Sequence, residues 1–476
     1  MISKTRKKLK LTLPAKATVF YTLTGALERG VGFVFTPIYT RILTPEEYGL
    51  YPLYVSWMGI ATVIVTLELT GSTVYRGLSS SEGGEKKFIS SLTGLYLTCA
   101  VITCGVILSF GRAVRGITGL NTTLLVFLLL QTVLNGVIGI YFAKCRYEYK
   151  YKTASLINLA NAILSPPLSL LIIRFTDYKA EARIIAPLVI GIAISIPIII
   201  KTFVGGRTFF DGGVWKGQLG AVIPLLPHFL ATTVTVQSSK LAIAYFFGED
   251  ALARYSLVFS FGFIFTVMTV GINSGLTPWI NRKLSHGEKK RVGEMCEELF
   301  SLFSILSVMA IAFVPEGLSI LAPHEYLDAL PAVYPIAISV IISFLTTVFY
   351  TVTVYFGKGH LVTLTSILSM LVTLILHLTV TPRFGYVGAG VVACAAGVVN
   401  VLSYTVIIGG VLKKRIFSLK KLLAPILFSI AFSYLLYLFR ASWPSRLSLF
   451  LALLILLLPR AIGCYRLIRE KDKARY

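Results

Sequence analysis

A chain of 476 residues that is 55% hydrophobic and only 14% charged, with a mean hydropathy of +0.79, carries more apolar surface than a water-soluble core could enclose. Its net charge of +24 would fit nucleic acid in a soluble protein, but the Lys and Arg residues collect between long apolar runs, which points to a membrane and excludes nucleic acid as a partner. The runs are continuous rather than alternating, so transmembrane helices are selected over a barrel.

In chain order, Met1 to Lys16 carries six Lys or Arg and leads into an apolar stretch without a small-residue cleavage site, the pattern of a retained first span. Fourteen spans follow, approximately Ala17–Leu43, Tyr48–Leu78, Phe88–Phe110, Leu120–Ala143, Thr153–Phe175, Ile184–Val204, Gln218–Phe247, Leu252–Ile280, Leu299–Val314, Ala332–Phe356, Leu361–Val380, Tyr386–Val411, Leu422–Leu438 and Leu447–Pro459. With Arg41, Arg174, Lys201 and Arg254, at the ends of spans, counted in the adjoining loops, 32 of the 45 Lys and Arg residues fall on the side shared with the N-terminus and 10 on the other, leaving Arg29, Arg76 and Lys240 inside spans. The positive-inside rule then places both termini in the cytoplasm.

Two sequence echoes share one offset. Tyr51-Pro-Leu-Tyr-Val-Ser56 opens span two and Tyr255-Ser-Leu-Val-Phe-Ser260 opens span eight, while Tyr141-Phe-Ala-Lys144 and Tyr355-Phe-Gly-Lys358 follow spans four and ten. A displacement of six spans predicts two like-oriented lobes related by a pseudo-twofold axis along the membrane normal. The expected organisation is a basic N-terminus (1–16), a six-helix lobe (17–204), a linker (205–217), a second six-helix lobe (218–411), two further helices (412–459) and a basic tail (460–476).

Charges inside hydrocarbon cost several kcal/mol and mark functional sites. Arg29 lies mid-span, and its neighbour Glu28 points about 100° away around the helix. Glu68, Ser72 and Arg76 follow i, i+4, i+8 spacing and predict one polar stripe on span two. Thr233, Gln237 and Lys240 form a second polar face on span seven, which Pro224 and Pro227 are expected to kink. Asn135, Asn158, Asn161, Asn273 and Asn400 could bond the hydroxyls of a ligand or glue helices together. His228 and His377 lack metal-ligand spacing and read as structural. The cysteines Cys99, Cys104, Cys145, Cys296, Cys394 and Cys464 read as small buried hydrophobes, so neither disulfide nor metal is expected. No GxxxxGK[ST], HExxH, GxSxG or DxD motif occurs, so no catalytic residue and no cofactor is predicted. Asn121-Thr-Thr reads as a chance match to a glycosylation sequon.

The stretch Arg29-Gly-Val-Gly-Phe-Val-Phe-Thr-Pro-Ile-Tyr-Thr-Arg-Ile-Leu-Thr-Pro-Glu-Glu-Tyr-Gly-Leu-Tyr51 resembles the opening of bacterial Wzx-type polysaccharide flippases of the multidrug/oligosaccharidyl-lipid/polysaccharide exporter superfamily. Phe384-Gly-Tyr-Val-Gly-Ala-Gly390 resembles their entry to span twelve. The resemblance implies a MATE-like pair of lobes around a cavity in the bacterial inner membrane. It further implies a polyprenyl-diphosphate-linked oligosaccharide as substrate, membrane lipids around it, and a polysaccharide polymerase and chain-length machinery as partners. Arg29, Arg76 and Lys240 match the cavity cations that attract the diphosphate in such proteins. Lipid II flippases use arginines of spans one, two and eight; span eight here has no mid-membrane basic residue, which leaves Lys240 as the substitute. Ser72, Thr233, Gln237, Asn135, Asn158 and Asn273 are the expected polar lining, with Glu28 and Glu68 as candidate ion-coupling carboxylates. Rival readings are a lipid II or spore-wall precursor flippase, a drug/cation antiporter, and a membrane-embedded glycosyltransferase or polymerase.

Overall fold

In a computed structural model, residues 13–81, 83–414 and 416–473 are described. Of the basic N-terminal segment expected over 1–16, residues 1–12 lie outside them. Seventeen α-helices run through the described chain: α1 (Leu13–Ile42), α2 (Pro45–Thr66), α3 (Ser72–Ser80), α4 (Glu85–Ser109), α5 (Gly111–Thr118), α6 (Thr122–Tyr147), α7 (Tyr151–Ile173), α8 (Lys179–Gly206), α9 (Gly212–Val222), α10 (Leu226–Ser285), α11 (Lys289–Ile311), α12 (Val314–Leu321), α13 (Val333–Tyr355), α14 (Gly359–Thr379), α15 (Thr381–Val406), α16 (Leu419–Leu438) and α17 (Trp443–Lys473). No strand occurs among the described residues, as expected where the backbone must satisfy its own hydrogen bonds.

Eleven of these segments are long and apolar enough to cross a membrane, or twelve when α11 and α12, bent by 49°, count as one broken span. Length and hydropathy alone do not confirm the expected count of fourteen. Glu28, Arg29 and the glycines of α1 lower its mean hydropathy below that of its neighbours, so it is absent from the eleven. The seventh and eighth expected spans run together through α9 and α10, interrupted at Gly248 with φ 83° and ψ −177°, a conformation that only glycine adopts at little cost.

Local chemistry sets the helix ends. Thr44 and Glu47 form a reciprocal capping box before α2, with Thr44 N–H donating to Glu47 Oε2 at 2.8 Å and Glu47 N–H to Thr44 Oγ1 at 3.2 Å. Asn121, the sequon asparagine, caps α6 by accepting from Leu124 N–H at 2.8 Å. Pro224 falls in a 3₁₀ turn, Ile223–Leu225, between α9 and α10, and Pro227 follows at the start of α10, so the hydrogen-bond pattern changes from α to 3₁₀ where these prolines occur.

The helices divide into two compact units, one of residues up to Thr36 with Ala61–Leu226, the other of Pro37–Ile60 with the chain from Pro227 onward. In the first unit Tyr96 of α4 is fully buried. Its hydroxyl donates to the Val133 carbonyl of α6 at 2.8 Å, and its ring occupies the space a Cβ on Gly136 would need, the small-residue approach typical of membrane helices. Trp215 Nε1 of α9 donates to the Ser91 carbonyl of α4 at 3.1 Å, tying the start of the next segment back onto the unit.

In the second unit, Phe344 of α13 stacks on Phe300 and Phe303 of α11, centroids 6.2 and 5.1 Å apart. Gly390 of α15 faces Pro335 of α13, whose Cγ would lie 2.7 Å from an added Cβ; the Phe384–Gly390 motif thus serves close packing of α13 on α15. The last two helices dock on α11 and α12 through ions. Arg446 of α17, its side chain 6% exposed, pairs in bidentate fashion with Glu316, which is 40% exposed, and donates to the Ala312 carbonyl at 2.8 Å. At the other end Arg460 reaches Glu298 at 3.2 Å. Lys421 of α16 reaches Glu297 at 3.2 Å, and Glu297 also accepts from Ser418 N–H at 2.9 Å.

A buried guanidinium left without its carboxylate carries an uncompensated charge. Glu316→Ala is therefore expected to destabilise the protein in micelles by about 2–3 kcal/mol, below the roughly 3–5 kcal/mol of a fully buried pair because Glu316 is partly exposed. Adding Arg446→Met should restore most of that loss. Equal stability of Glu316→Ala and the native chain in a chemical unfolding titration would show the latch to be incidental.

Candidate functional site

The predicted polar stripe on span two does not form as one helix. Helix α2 ends at Thr66 and α3 begins at Ser72. Between them Leu67 and Glu68 take left-handed φ values of 47° and 54°, a region that costs a non-glycine residue roughly 1–2 kcal/mol. Thr66 caps the break by accepting Glu68 N–H at 3.1 Å on its Oγ1 and Leu69 N–H at 2.9 Å on its carbonyl, while Gly71 N–H donates to the Glu68 carbonyl at 3.1 Å. The i, i+4, i+8 geometry of Glu68, Ser72 and Arg76 is therefore corrected, because that spacing shares a face only within an unbroken helix. Glu68 is half-buried at the break and Arg76 is exposed on α3; the side chain of Ser72 lies outside the described residues. Such broken helices and strained residues collect at functional sites in membrane proteins.

Glu28 and Arg29 sit next to each other on α1, both exposed. Asn135 of α6 and Asn158 of α7 are also exposed, and Asn161 accepts from the Ser165 hydroxyl at 2.9 Å. Asn273 of α10 is half-buried.

The second polar face does lie on continuous helix, with Thr233, Gln237 and Lys240 half-buried along α10. The Gln237 amide packs over Gly59 of α2, where an added Cβ would come within 2.8 Å of Nε2. Lys240 Nζ stands 4.7 Å from the centroid of the Phe259 ring, a cation–π contact that offsets part of the ammonium's desolvation. Both histidines take structural positions. His377 is buried with Nδ1 2.8 Å from Thr381 Oγ1 and Nε2 3.1 Å from Ser238 Oγ; His228 Nδ1 lies 2.8 Å from Ser366 Oγ, its ring stacked on Tyr350. Among the described residues no cluster of three His, Cys, Asp or Glu side chains could hold a metal ion.

Sequence reasoning missed a cavity of about 290 Å³ within the second unit, walled by α10, α13, α14 and α15. Nine of its sixteen lining residues are Ser or Thr, among them Thr235 and Ser239 of α10, Ser339, Ser343 and Thr347 of α13, and Ser369 of α14, and they stand with Asn400 and Phe259 in a wall whose exposed surface is mostly apolar. The signal was present: Ser339, Ser343 and Thr347 repeat at i, i+4, i+8, and Thr235 and Ser239 at i, i+4, the helical period for one face.

The polysaccharide biosynthesis protein family matches residues 15–284, more than half of the chain. The chain belongs to that family. Residues 224–379 also match the MatE family. No match was found among curated protein sequences. Among solved structures, the lipid II flippase MurJ in an inward closed conformation superposes with a TM-score of 0.65 at 12% identity, over 94% of this chain and 99% of that one. An inward-facing multidrug resistance MATE family transporter of the MOP superfamily gives 0.63 at 14% identity, over 82% and 96%. A MOP superfamily transporter from Pyrococcus furiosus, described as having a binding pocket of reversed polarity, gives 0.57 at 14%, over 88% and 96%. The polysaccharide biosynthesis family member is thus a multi-pass, all-helical membrane protein with the fold shared by MATE transporters and MurJ.

Glycine at position 68 removes the left-handed penalty, so Glu68→Gly is expected to raise stability in micelles by about 1 kcal/mol. A stability below that of the native chain would show that the Glu68 side chain, not its backbone, governs the break.

Proposed function

We propose that this protein is a flippase that carries polyprenyl-diphosphate-linked oligosaccharide from the inner to the outer leaflet of the bacterial cytoplasmic membrane by alternating access, with both termini cytoplasmic. Membership of the polysaccharide biosynthesis family is the observation that carries this reading, and the fold it shares with transporters supports it. The cations Arg29, Arg76 and Lys240 are suited to a diphosphate, because charge-assisted hydrogen bonds strengthen where water is scarce. Ser72, Thr233, Gln237, Asn135, Asn158 and Asn273 supply neutral polar lining, and the lipid tail stays in the bilayer. A polysaccharide polymerase and its chain-length machinery would take the product outside. Lipid II is the second substrate reading, favoured by the near-complete coverage of the MurJ fold.

Without a nucleotide-binding loop in the sequence, net work is assigned to an ion gradient, the membrane potential or consumption of product. Glu68, a carboxylate at a broken helix, and Glu28 are the coupling candidates, since a half-buried carboxylate can exchange a proton or cation at modest cost.

Expression in a strain lacking its polysaccharide flippase should restore surface polysaccharide, and Arg29→Ala at equal protein level should not. Restoration of growth in a strain depleted of its lipid II flippase, without restoration of the polysaccharide, would transfer the assignment to lipid II; full rescue by Arg29→Ala would remove that residue from the site. In proteoliposomes, Glu68→Gln is expected to abolish the dependence of transport on a pH gradient. Dependence that survives in both Glu68→Gln and Glu28→Gln would assign coupling elsewhere.

A further inference from the structure

Every hydroxyl that matters in the cavity of the second unit has already committed its hydrogen. Ser339, Ser343 and Thr347 donate to the carbonyls of Ile336, Val340 and Ser343 at 2.6, 2.7 and 3.0 Å. Thr235 donates to the Ala231 carbonyl at 2.8 Å, and Ser369 to the Ala396 carbonyl at 3.1 Å. Asn400 directs Nδ2 to Ser369 Oγ at 3.0 Å and to the Ala396 carbonyl at 3.1 Å, which occupies both its amide hydrogens and leaves its oxygen as an acceptor. Where its mostly apolar wall is polar, the cavity therefore offers lone pairs from four helices and hardly any donors.

That polarity selects its occupant. A diphosphate is itself acceptor-only and would face the lone pairs of the wall, whereas a sugar brings one O–H donor per hydroxyl. A bare cation also suits oxygen ligands, but no carboxylate lines the cavity, and a volume of about 290 Å³ is far larger than an ion needs. Phe259 supplies an apolar surface for the C–H face of a sugar ring. The same ring carries the Lys240 ammonium 4.7 Å from its centroid, so a cation outside the lining is separated from the cavity by one of its wall residues. His228 and His377 brace the wall from behind, His228 through Ser366 and His377 through Ser239 at 3.4 Å.

We propose that this half-open cavity, lined by α10, α13, α14 and α15, is a subsite for the uncharged sugar ring adjoining the diphosphate, with Lys240 near it for the proximal phosphate. The inference rests on the glycan-flippase reading. It divides the substrate by chemistry: hydroxyl and amide acceptors for the sugar, cations for the phosphates, and the bilayer for the tail. The lining holds no Asp, Glu, Lys or Arg, which sets it apart from the charged positions already assigned.

The test compares binding of undecaprenyl diphosphate with that of undecaprenyl diphosphate bearing one N-acetylglucosamine, galactose or glucose, measured by thermophoresis on the purified full chain in micelles. The native protein is expected to bind at least one sugar-bearing lipid about tenfold more tightly, the yield of two or so well-placed hydrogen bonds. Ser343→Ala combined with Thr347→Val, and separately Asn400→Leu, should erase that increment while leaving the affinity for undecaprenyl diphosphate intact, which also certifies the fold of each variant. Equal affinity for bare and sugar-bearing lipids overturns the subsite and leaves the flippase reading standing. Failure of all the lipids to bind overturns both. A sodium-dependent stabilisation that the same variants abolish, with no sugar increment in the native chain, would assign the cavity to a cation instead.

Discussion

Hydrocarbon offers a backbone no hydrogen-bonding partner, and most of this structure follows from that deficit. Helices satisfy it from within, and Ser339, Ser343 and Thr347 of the second unit do the same for their own hydroxyls by donating to carbonyls three or four residues earlier. Where the helical ladder stops inside an apolar stretch, something replaces it. At Thr66 the side-chain and backbone oxygens together take two N–H groups; at Ile223–Leu225 a 3₁₀ turn accommodates a proline; at Gly248 the lack of a side chain permits the turn of the chain. The first of these interruptions lies beside Glu68, a residue with a role in the proposed transport cycle.

The same deficit divides the charged residues into two populations. Arg446, Arg460 and Lys421 are matched to Glu316, Glu298 and Glu297, and they fasten α16 and α17 to the rest of the second unit. Their charges are spent on architecture. Lys240 is held against an aromatic face instead of a carboxylate, an arrangement that keeps the ammonium's electrostatic reach available to an anionic ligand. The family's substrates, as proposed here, join an anion to a polyol, and the second unit presents a cation beside an acceptor-lined cavity.

Hydropathy and the distribution of Lys and Arg are local properties of the chain, and they determined the class of protein, the helical content and the approximate positions of the spans without reference to any contact. Motif residues near Arg29 and in Phe384–Gly390 placed the family. The count of spans was less legible, because a polar α1 and the joined α9–α10 segment are decided by a few residues, Glu28, Arg29 and Gly248, whose effect on a helix depends on what surrounds it. Periodicity likewise misread Glu68, Ser72 and Arg76, since spacing predicts a common face only if no backbone break intervenes.

The sequence by itself determined where lipid must be and which residue types are available inside it, because burial in hydrocarbon is governed by composition over some twenty residues at a time. Tertiary structure alone decided that Arg446 meets Glu316 across 130 positions and that hydroxyls from α10, α13 and α14 converge on one cavity. Periodicity marks a hydroxyl face on α10 and on α13, but which faces meet is set by the packing of glycines and aromatic rings between helices far apart in the chain, and no single helix records that.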